Sequence, residues 1–166
     1  MLVHIASNNS TSNLEGGWNN DSIQPNAIDL RLERVFVLHP TEFIIDEETK
    51  VHRRKTEQNT DDKGYFHFLP GSYEISFEGI VSIGHDEAGV VITRSTLNRN
   101  GIFITSGLYD SGYVGSMAAC LHVNGGEAWI KKGTRIGQFI TLKSEAVSSY
   151  DGDYGLSKQM DAHLRN

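Results

Sequence analysis

The 166-residue chain has one cysteine, Cys120, so it can form neither an internal disulfide nor a cysteine-rich zinc site. Cys120 sits in the apolar run Met117–Val123 and reads as a small buried hydrophobe. No apolar stretch approaches the roughly 20 residues that span a bilayer, so no membrane partner is expected. The opening residues MLVHIASNNSTS lack a basic start and a long apolar segment. No signal peptide is expected there, and the expected location is cytoplasmic. Positive charge is scarce, with 15 Lys and Arg against 21 Asp and Glu and a net charge of −6. That balance speaks against a nucleic-acid polymer as partner, because cations on phosphates supply most of such affinity. The one basic cluster, Arg53-Arg54-Lys55, lies near Glu47-Glu48 and Asp61-Asp62 and reads as a solvated loop. A small anionic ligand stays open, since two or three local cations suffice for it.

Metal-site patterns are also missing. The seven histidines have no i, i+4 pair and there is no Cys-x-x-Cys. No metal held by protein side chains is expected, and His67 and His122, both in apolar runs, read as satisfied core or interface residues. The nucleophile motif Gly-x-Ser-x-Gly is absent too.

What is present is glycine, 17 residues of it, between apolar runs of four to eight residues. This pattern predicts a single mainly β domain, a sandwich or barrel. Tyr73–Glu78 alternates cleanly, Asp29–Phe36 alternates and then turns apolar, and Val90–Ile92, Ile102–Ile104 and Gln138–Leu142 read as further strands. Pro70-Gly71, Asn124-Gly125-Gly126 and Lys132-Gly133 read as turns. One short helix is expected near Ser95–Arg99, capped by Ser95 and stopped by Gly101. The β domain is expected over residues 1–144, with 1–23 irregular. Residues 145–166 form an expected mobile tail, weakly helical near Ser157–Leu164. Thr49–Lys63 reads as a charged insertion, a hairpin with a disordered tip.

Three segments have residues suited to chemistry. In Thr93–Gly101 a strand runs into Ser95 and Thr96 at a helix start, where free N–H groups favour an anion. Arg94 and Arg99 add fork-shaped donors for phosphate oxygens. Taken alone, a capped surface helix explains the segment as simply. Ser106–Gly115 reads as a hairpin whose glycines let a ligand approach the backbone. Asp110 there can activate a water and Tyr113 offers a flat face for a sugar or base; a decorated β-turn is the plainer account. In Lys131–Gln138 a turn feeds a strand, and Gln138 can donate to a phosphate.

In order and spacing these segments resemble the dUTPase/dCTP deaminase superfamily over about Gln24 to Phe139. Gln24–Leu32 resembles its early strand, with Asp29 in a supporting role. Arg94-Ser95-Thr96-Leu97 resembles its Arg-Ser-Ser-Leu phosphate motif. Gly107-Leu108-Tyr109-Asp110-Ser111-Gly112-Tyr113-Val114-Gly115 resembles its hairpin, and Gly133-Thr134-Arg135-Ile136-Gly137-Gln138 its Gly-x-Arg-Ile-x-Gln strand. Phe68-Leu69-Pro70-Gly71 matches the segment before the second half of its barrel.

The resemblance implies a distorted, β-clip-like barrel with one short helix, assembled as a homotrimer with shared active sites. It also implies a deoxynucleoside triphosphate ligand, dUTP or dCTP, with Mg²⁺ held mainly by the phosphates. Arg94, Ser95, Thr96, Arg99 and Gln138 would bind phosphates. Gly107, Leu108 and Tyr113 would bind base and sugar, Tyr154 would close from the tail, and Asp110 would be the catalytic base of a dUTPase. Deaminases of this kind need a glutamate in the strand after the hairpin, where this chain has Cys120 or Leu121. dUTP hydrolysis is therefore expected, with deamination of dCTP or a non-catalytic nucleotide-binding trimer as alternatives. The tail Tyr150-Asp151-Gly152-Asp153-Tyr154 resembles the deaminase branch, but Asp153 stands where a lysine is common, leaving Lys158 or Arg165 to compensate.

Overall fold

Alternating side chains and turn-forming glycines produce a wholly antiparallel β architecture. The computed structural model describes residues 1–156 and 158–164. Its strands are β1 (Leu2–Val3), β2 (Asn13–Glu15), β3 (Ile28–Leu38), β4 (Ile44–Ile45), β5 (Lys50–Val51), β6 (Lys55–Glu57) and β7 (Tyr65–Phe68). They continue with β8 (Gly71–Ser82), β9 (Glu87–Thr93), β10 (Ile102–Thr105), β11 (Leu108–Tyr109), β12 (Val114–Val123), β13 (Ala128–Lys131) and β14 (Arg135–Lys143). One helical turn, α1 (Ser95–Asn98), follows β9, and 3-10 turns lie at Asn20–Ser22 and Gln159–Leu164.

The main sheet runs β10-β12-β8-β3-β14-β9-β11, with β1, β2 and β6 along its margins. β3 makes the corner: Ile28–Arg31 pairs with β14, and Leu32–Val37 pairs with β8. Register shifts at Arg135/Gly137 and Leu32/Arg34 bend the ribbon there. A strand that changes partners in this way curls the sheet around its inner face. Leu30, Leu32, Ile75, Phe77, Met117, Leu121, Ile136 and Phe139 fill that face and are essentially inaccessible. Truncating one of these phenylalanines would cost about 3–5 kcal/mol. The expected mainly β, distorted barrel with a short helix is the fold that forms.

Three local features differ from the sequence reading. Arg94, not Ser95, occupies the N-cap of α1, and it makes no side-chain capping bond. The hairpin in the charged region spans Ile44–Val51, earlier than expected, while Lys55–Glu57 joins the sheet beside β3. Charged side chains hid that strand: Glu57 pairs with Arg34 at 2.6 Å and Lys55 with Glu74 at 2.7 Å. Finally, the stretch 1–23, expected to be irregular, contains β1 and β2, and it buries Ser12, Leu14 and Ser22.

Glu87 anchors that N-terminal stretch. Its buried carboxylate accepts from Ser10 Oγ (2.8 Å), Ser12 N (3.0 Å) and Thr11 N (3.2 Å) and lies 2.9 Å from Lys143 Nζ. Burial would raise its pKa, but these hydrogen bonds outweigh burial and hold the carboxyl below its usual range.

Candidate functional site

At one end of the sheet a buried carboxylate organises a cationic surface. Asp29 on β3 lies opposite Gln138 on β14 and is inaccessible to solvent. Gln138 Nε2 donates to Asp29 Oδ1 at 3.0 Å. Arg94 Nε and Arg135 Nη1 stand 3.3 and 3.5 Å from Oδ2. Arg94 Nη1 also donates to the Arg135 carbonyl at 3.0 Å. A buried carboxylate is costly unless paired, and here two guanidinium groups face it while each keeps 31% of its side chain accessible. Asp29 thus aims Arg94, Arg135 and Gln138 from beneath. Ser95 and Thr96 are exposed at the start of α1, and Arg99 is exposed at its C-cap. The first N–H groups of such a turn have no intrahelical partner.

The second group of residues is the hairpin. Leu108 and Tyr109 pair with Val90 and Gly89 of β9. The turn closes where Tyr113 N donates to the Asp110 carbonyl at 3.0 Å, with Gly112 at a φ of 83° that favours glycine. Asp110 therefore contributes its backbone to the turn, and its side chain is left exposed on the rim of a 450 Å³ cavity shared with Glu145–Asp151. Tyr113 is buried, donates to the Ser116 carbonyl at 2.8 Å, and meets Tyr109 and Tyr150 edge-on, each at 5.4 Å. Its ring explains Gly115, where a Cβ would fall 2.5 Å from the Tyr113 hydroxyl. Burial, and after it the nearby Asp161 and Tyr150, push the Tyr113 pKa far up, so the phenol stays neutral and donating.

A larger cavity of about 730 Å³ opens beside the hairpin. Of the sequence-predicted residues it contains Gly107, Leu108, Tyr113 and Tyr154. Asp110 lies on the smaller cavity, and Arg94, Ser95, Thr96, Arg99 and Gln138 line neither. Within one chain the structure therefore brings together the phosphate candidates, and separately the base and sugar candidates.

Sequence reasoning missed several lining residues. Lys55 is a strand residue paired with Glu74 at 2.7 Å, not part of a solvated loop. Glu74, His163 and Asp161 also line the cavity. The clean alternation of Tyr73–Glu78 placed Glu74 on the polar face, but only the register, with Glu74 opposite Cys120, shows what it faces. Cys120 is half-buried and lines the cavity, so it is not a core residue, and burial raises its thiol pKa. His67 is exposed, paired with Glu127 and stacked on Trp129; His122, half-buried, stacks on Phe103 and bonds Ser72 and Thr105. Both are satisfied, but neither is in the core. Asp153 is compensated by Lys50 from the β4–β5 hairpin, whereas Lys158 lies 3.3 Å from Asp151. Arg165 lies outside the described residues, as does Ser157, where the weakly helical segment was expected to begin.

Among the described residues no three His, Cys, Asp or Glu side chains form a metal-binding group, and no helix is long and apolar enough to cross a membrane. Such a donor set suits Mg²⁺ only if phosphate oxygens and waters supply most of its ligands.

Comparison with known proteins gives one consistent outcome. A model of the dCTP deaminase-like family matches residues 5–143. A probable deoxyuridine 5'-triphosphate nucleotidohydrolase of Methanopyrus kandleri is 33% identical over 138 residues, covering 81% of this chain and 88% of that one. Its counterpart in Aeropyrum pernix is 32% identical over 141 residues, covering 83% and 87%. Among solved structures, a 2'-deoxycytidine 5'-triphosphate deaminase from Agrobacterium tumefaciens superposes with a TM-score of 0.61 at 17% identity. That match covers 81% of this chain but 44% of the deaminase. A dUTPase of Staphylococcus bacteriophage 80alpha gives 0.53 at 13% identity, covering 89% and 99%. At these identities the two superpositions establish the fold.

Proposed function

The chain belongs to the dCTP deaminase-like family, and from that premise we propose that it is a hydrolase cleaving dUTP to dUMP and pyrophosphate. The observation that carries this reading is the placement of carboxylates around the hairpin. Asp110 is exposed at the turn with its side chain free to approach a ligand, while the strand that follows offers a half-buried thiol at Cys120 and a fully buried Leu121. The first suits activation of a water; the second leaves that strand without the acid/base a deaminase of this kind needs.

In this mechanism Asp110 orients a water and takes its proton as the oxygen attacks the α-phosphorus. The bond from that phosphorus to the bridging oxygen breaks, and pyrophosphate leaves. Arg94, Ser95, Thr96, Arg99 and Gln138 hold the phosphates, the first and last aimed by Asp29. Gly107 and Leu108 offer backbone groups to the base, Tyr113 gives the sugar a flat wall, and Tyr154 closes from the tail. Mg²⁺ would be held by phosphate oxygens and waters rather than by side chains, and would supply neutralisation of the pyrophosphate's charge. Because the phosphate residues and the hairpin share no cavity within one chain, a site made between copies suits this reading, as the homotrimer implied by the family resemblance would supply. A soluble enzyme of the cytoplasmic deoxynucleotide pool fits this chemistry.

Incubation with Mg²⁺ and each of dUTP, dCTP, dTTP and dATP tests the reading directly. dUMP and pyrophosphate should form from dUTP alone. Asp110→Asn should lower turnover by about 10²–10⁴-fold while nucleotide still binds; unchanged turnover would sink the mechanism. Ammonia release from dCTP would instead favour the deaminase reading, which the deaminase-like sequence of the tail Tyr150–Tyr154 motivates.

A further inference from the structure

The larger cavity ends in a polar cluster that the mechanism above does not use. Glu74 on β8 lies directly across from Cys120 on β12, and Lys55 on β6 lies across from Leu38 on β3. Lys55 Nζ donates to both carboxylate oxygens of Glu74, at 2.7 and 2.8 Å, and His163 Nε2 is 2.6 Å from Oε1. Lys55 also stands 5.6 Å above the Phe36 ring, which helps fix its ammonium. The Lys55, Glu74 and His163 side chains stay 27%, 25% and 26% accessible. They are therefore neither sealed in a core nor spread on an open surface. Their accessible side faces a cavity of the size that small-molecule ligands occupy. Of the outward face of β12, the small side chains Ser116, Ala118 and Cys120 line the cavity beside them, which leaves room for a flat ring.

We propose that Lys55 and Glu74 form the specificity-determining end of this cavity and read the edge of a pyrimidine that has an N–H beside a carbonyl. The assignment rests on the reading that the Gly107–Tyr113 hairpin holds the base. An ammonium is a donor only and an ionised carboxylate an acceptor only. Side by side they complement a uracil-type edge: Lys55 donates to the carbonyl and Glu74 accepts from the ring N–H. A cytosine-type edge reverses the order. In the same pose its amino group would face the ammonium, and its bare ring nitrogen would face the carboxylate. Mismatched polar groups in a confined site discriminate far more strongly than a change in apolar bulk.

Calorimetric titration with dUMP and with dCMP tests this without any turnover. The wild type should prefer dUMP. Glu74→Gln, which can present either a donor or an acceptor, should weaken dUMP binding by about 10- to 100-fold and narrow the preference. Lys55→Met should erode the same preference from the carbonyl side, with circular dichroism confirming that both variants are folded. Should Glu74→Gln fail to fold, the Lys55→Met result decides alone. Intact dUMP affinity and preference in the folded variants would overturn the Lys55–Glu74 assignment and leave the hydrolase reading standing. A wild type that prefers dCMP would overturn the assigned donor and acceptor order. Binding of neither monophosphate would remove the base-binding hairpin, and this inference with it.

Discussion

The two ends of the candidate site are built in opposite ways. At the proposed phosphate end, Asp29, Arg94, Arg135 and Gln138 all come from the sheet or its immediate continuation, and the organising carboxylate is fully buried. At the proposed base end, part of the larger cavity's wall is tail: Tyr150, Tyr154, Met160, Asp161 and His163. The first is set when the sheet folds. The second exists only when residues after β14 dock, through contacts such as Arg34 Nη1 to the His163 carbonyl at 2.6 Å. A triphosphate has the same shape whatever the base, so a rigid cradle suits it, whereas base selection gains from a wall that can open and close.

The largest effect should follow from breaking the rigid end. Asp29→Ala leaves two guanidinium groups facing an apolar gap and frees Gln138. Loss of one partner from a buried ionic cluster costs about 3 kcal/mol, which in a domain of this length lowers Tm by about 10 °C. Pyrophosphate binding should fall with it, while dUMP binding, which depends on the hairpin, falls less. Calorimetry with the two ligands checks the split; equal loss of both would show that the ends are not independent.

That division was only half visible in the sequence. Strand alternation and turn glycines marked the barrel, because buried and exposed faces repeat every two residues regardless of partner. Arg94, Ser95 and Gln138 were legible as phosphate candidates because helix starts and fork-shaped donors suit phosphate locally. The base end was not. Glu74 faces Cys120 only through a register set by nine paired positions between β8 and β12. Lys55 belongs to a three-residue strand, Lys55–Glu57, too short and too charged for alternation to show. His163 comes to Glu74 from 89 residues away, a distance over which local pattern carries no information.

A smaller effect should come from removing the docked wall. A stop after Ser144 takes away Leu164 and the half-buried Tyr150 but spares the rest of the hydrophobic core. The barrel should stay folded, with a Tm change of only a few degrees. dUMP affinity should drop by at least tenfold while pyrophosphate affinity holds, the reverse of Asp29→Ala. A truncated chain that keeps full dUMP affinity would mean that the tail does not belong to the base end.

The smallest and most specific effect concerns how firmly that wall docks. Asp161 is nearly inaccessible and accepts from the Gly155 amide at 2.7 Å. Burial raises its pKa above the usual aspartate value, with the Gly155 hydrogen bond and His163 acting against burial and Glu74 adding to it. A carboxyl whose pKa is raised in the docked state stabilises that state fully below its ordinary pKa, and the contribution is lost as pH rises through the raised value. Docking should therefore be tighter in mild acid and looser towards neutrality. Asp161→Asn cannot ionise and keeps an oxygen for Gly155, so its docking should lose this pH dependence and match the acid form. Hydrogen exchange at the Gly155 amide, corrected for the intrinsic pH effect, reads the docked fraction. Protection that grows with pH in the wild type would mean that the Gly155 bond to the ionised carboxylate outweighs its burial, and the wall would then tighten, not loosen, towards neutral pH.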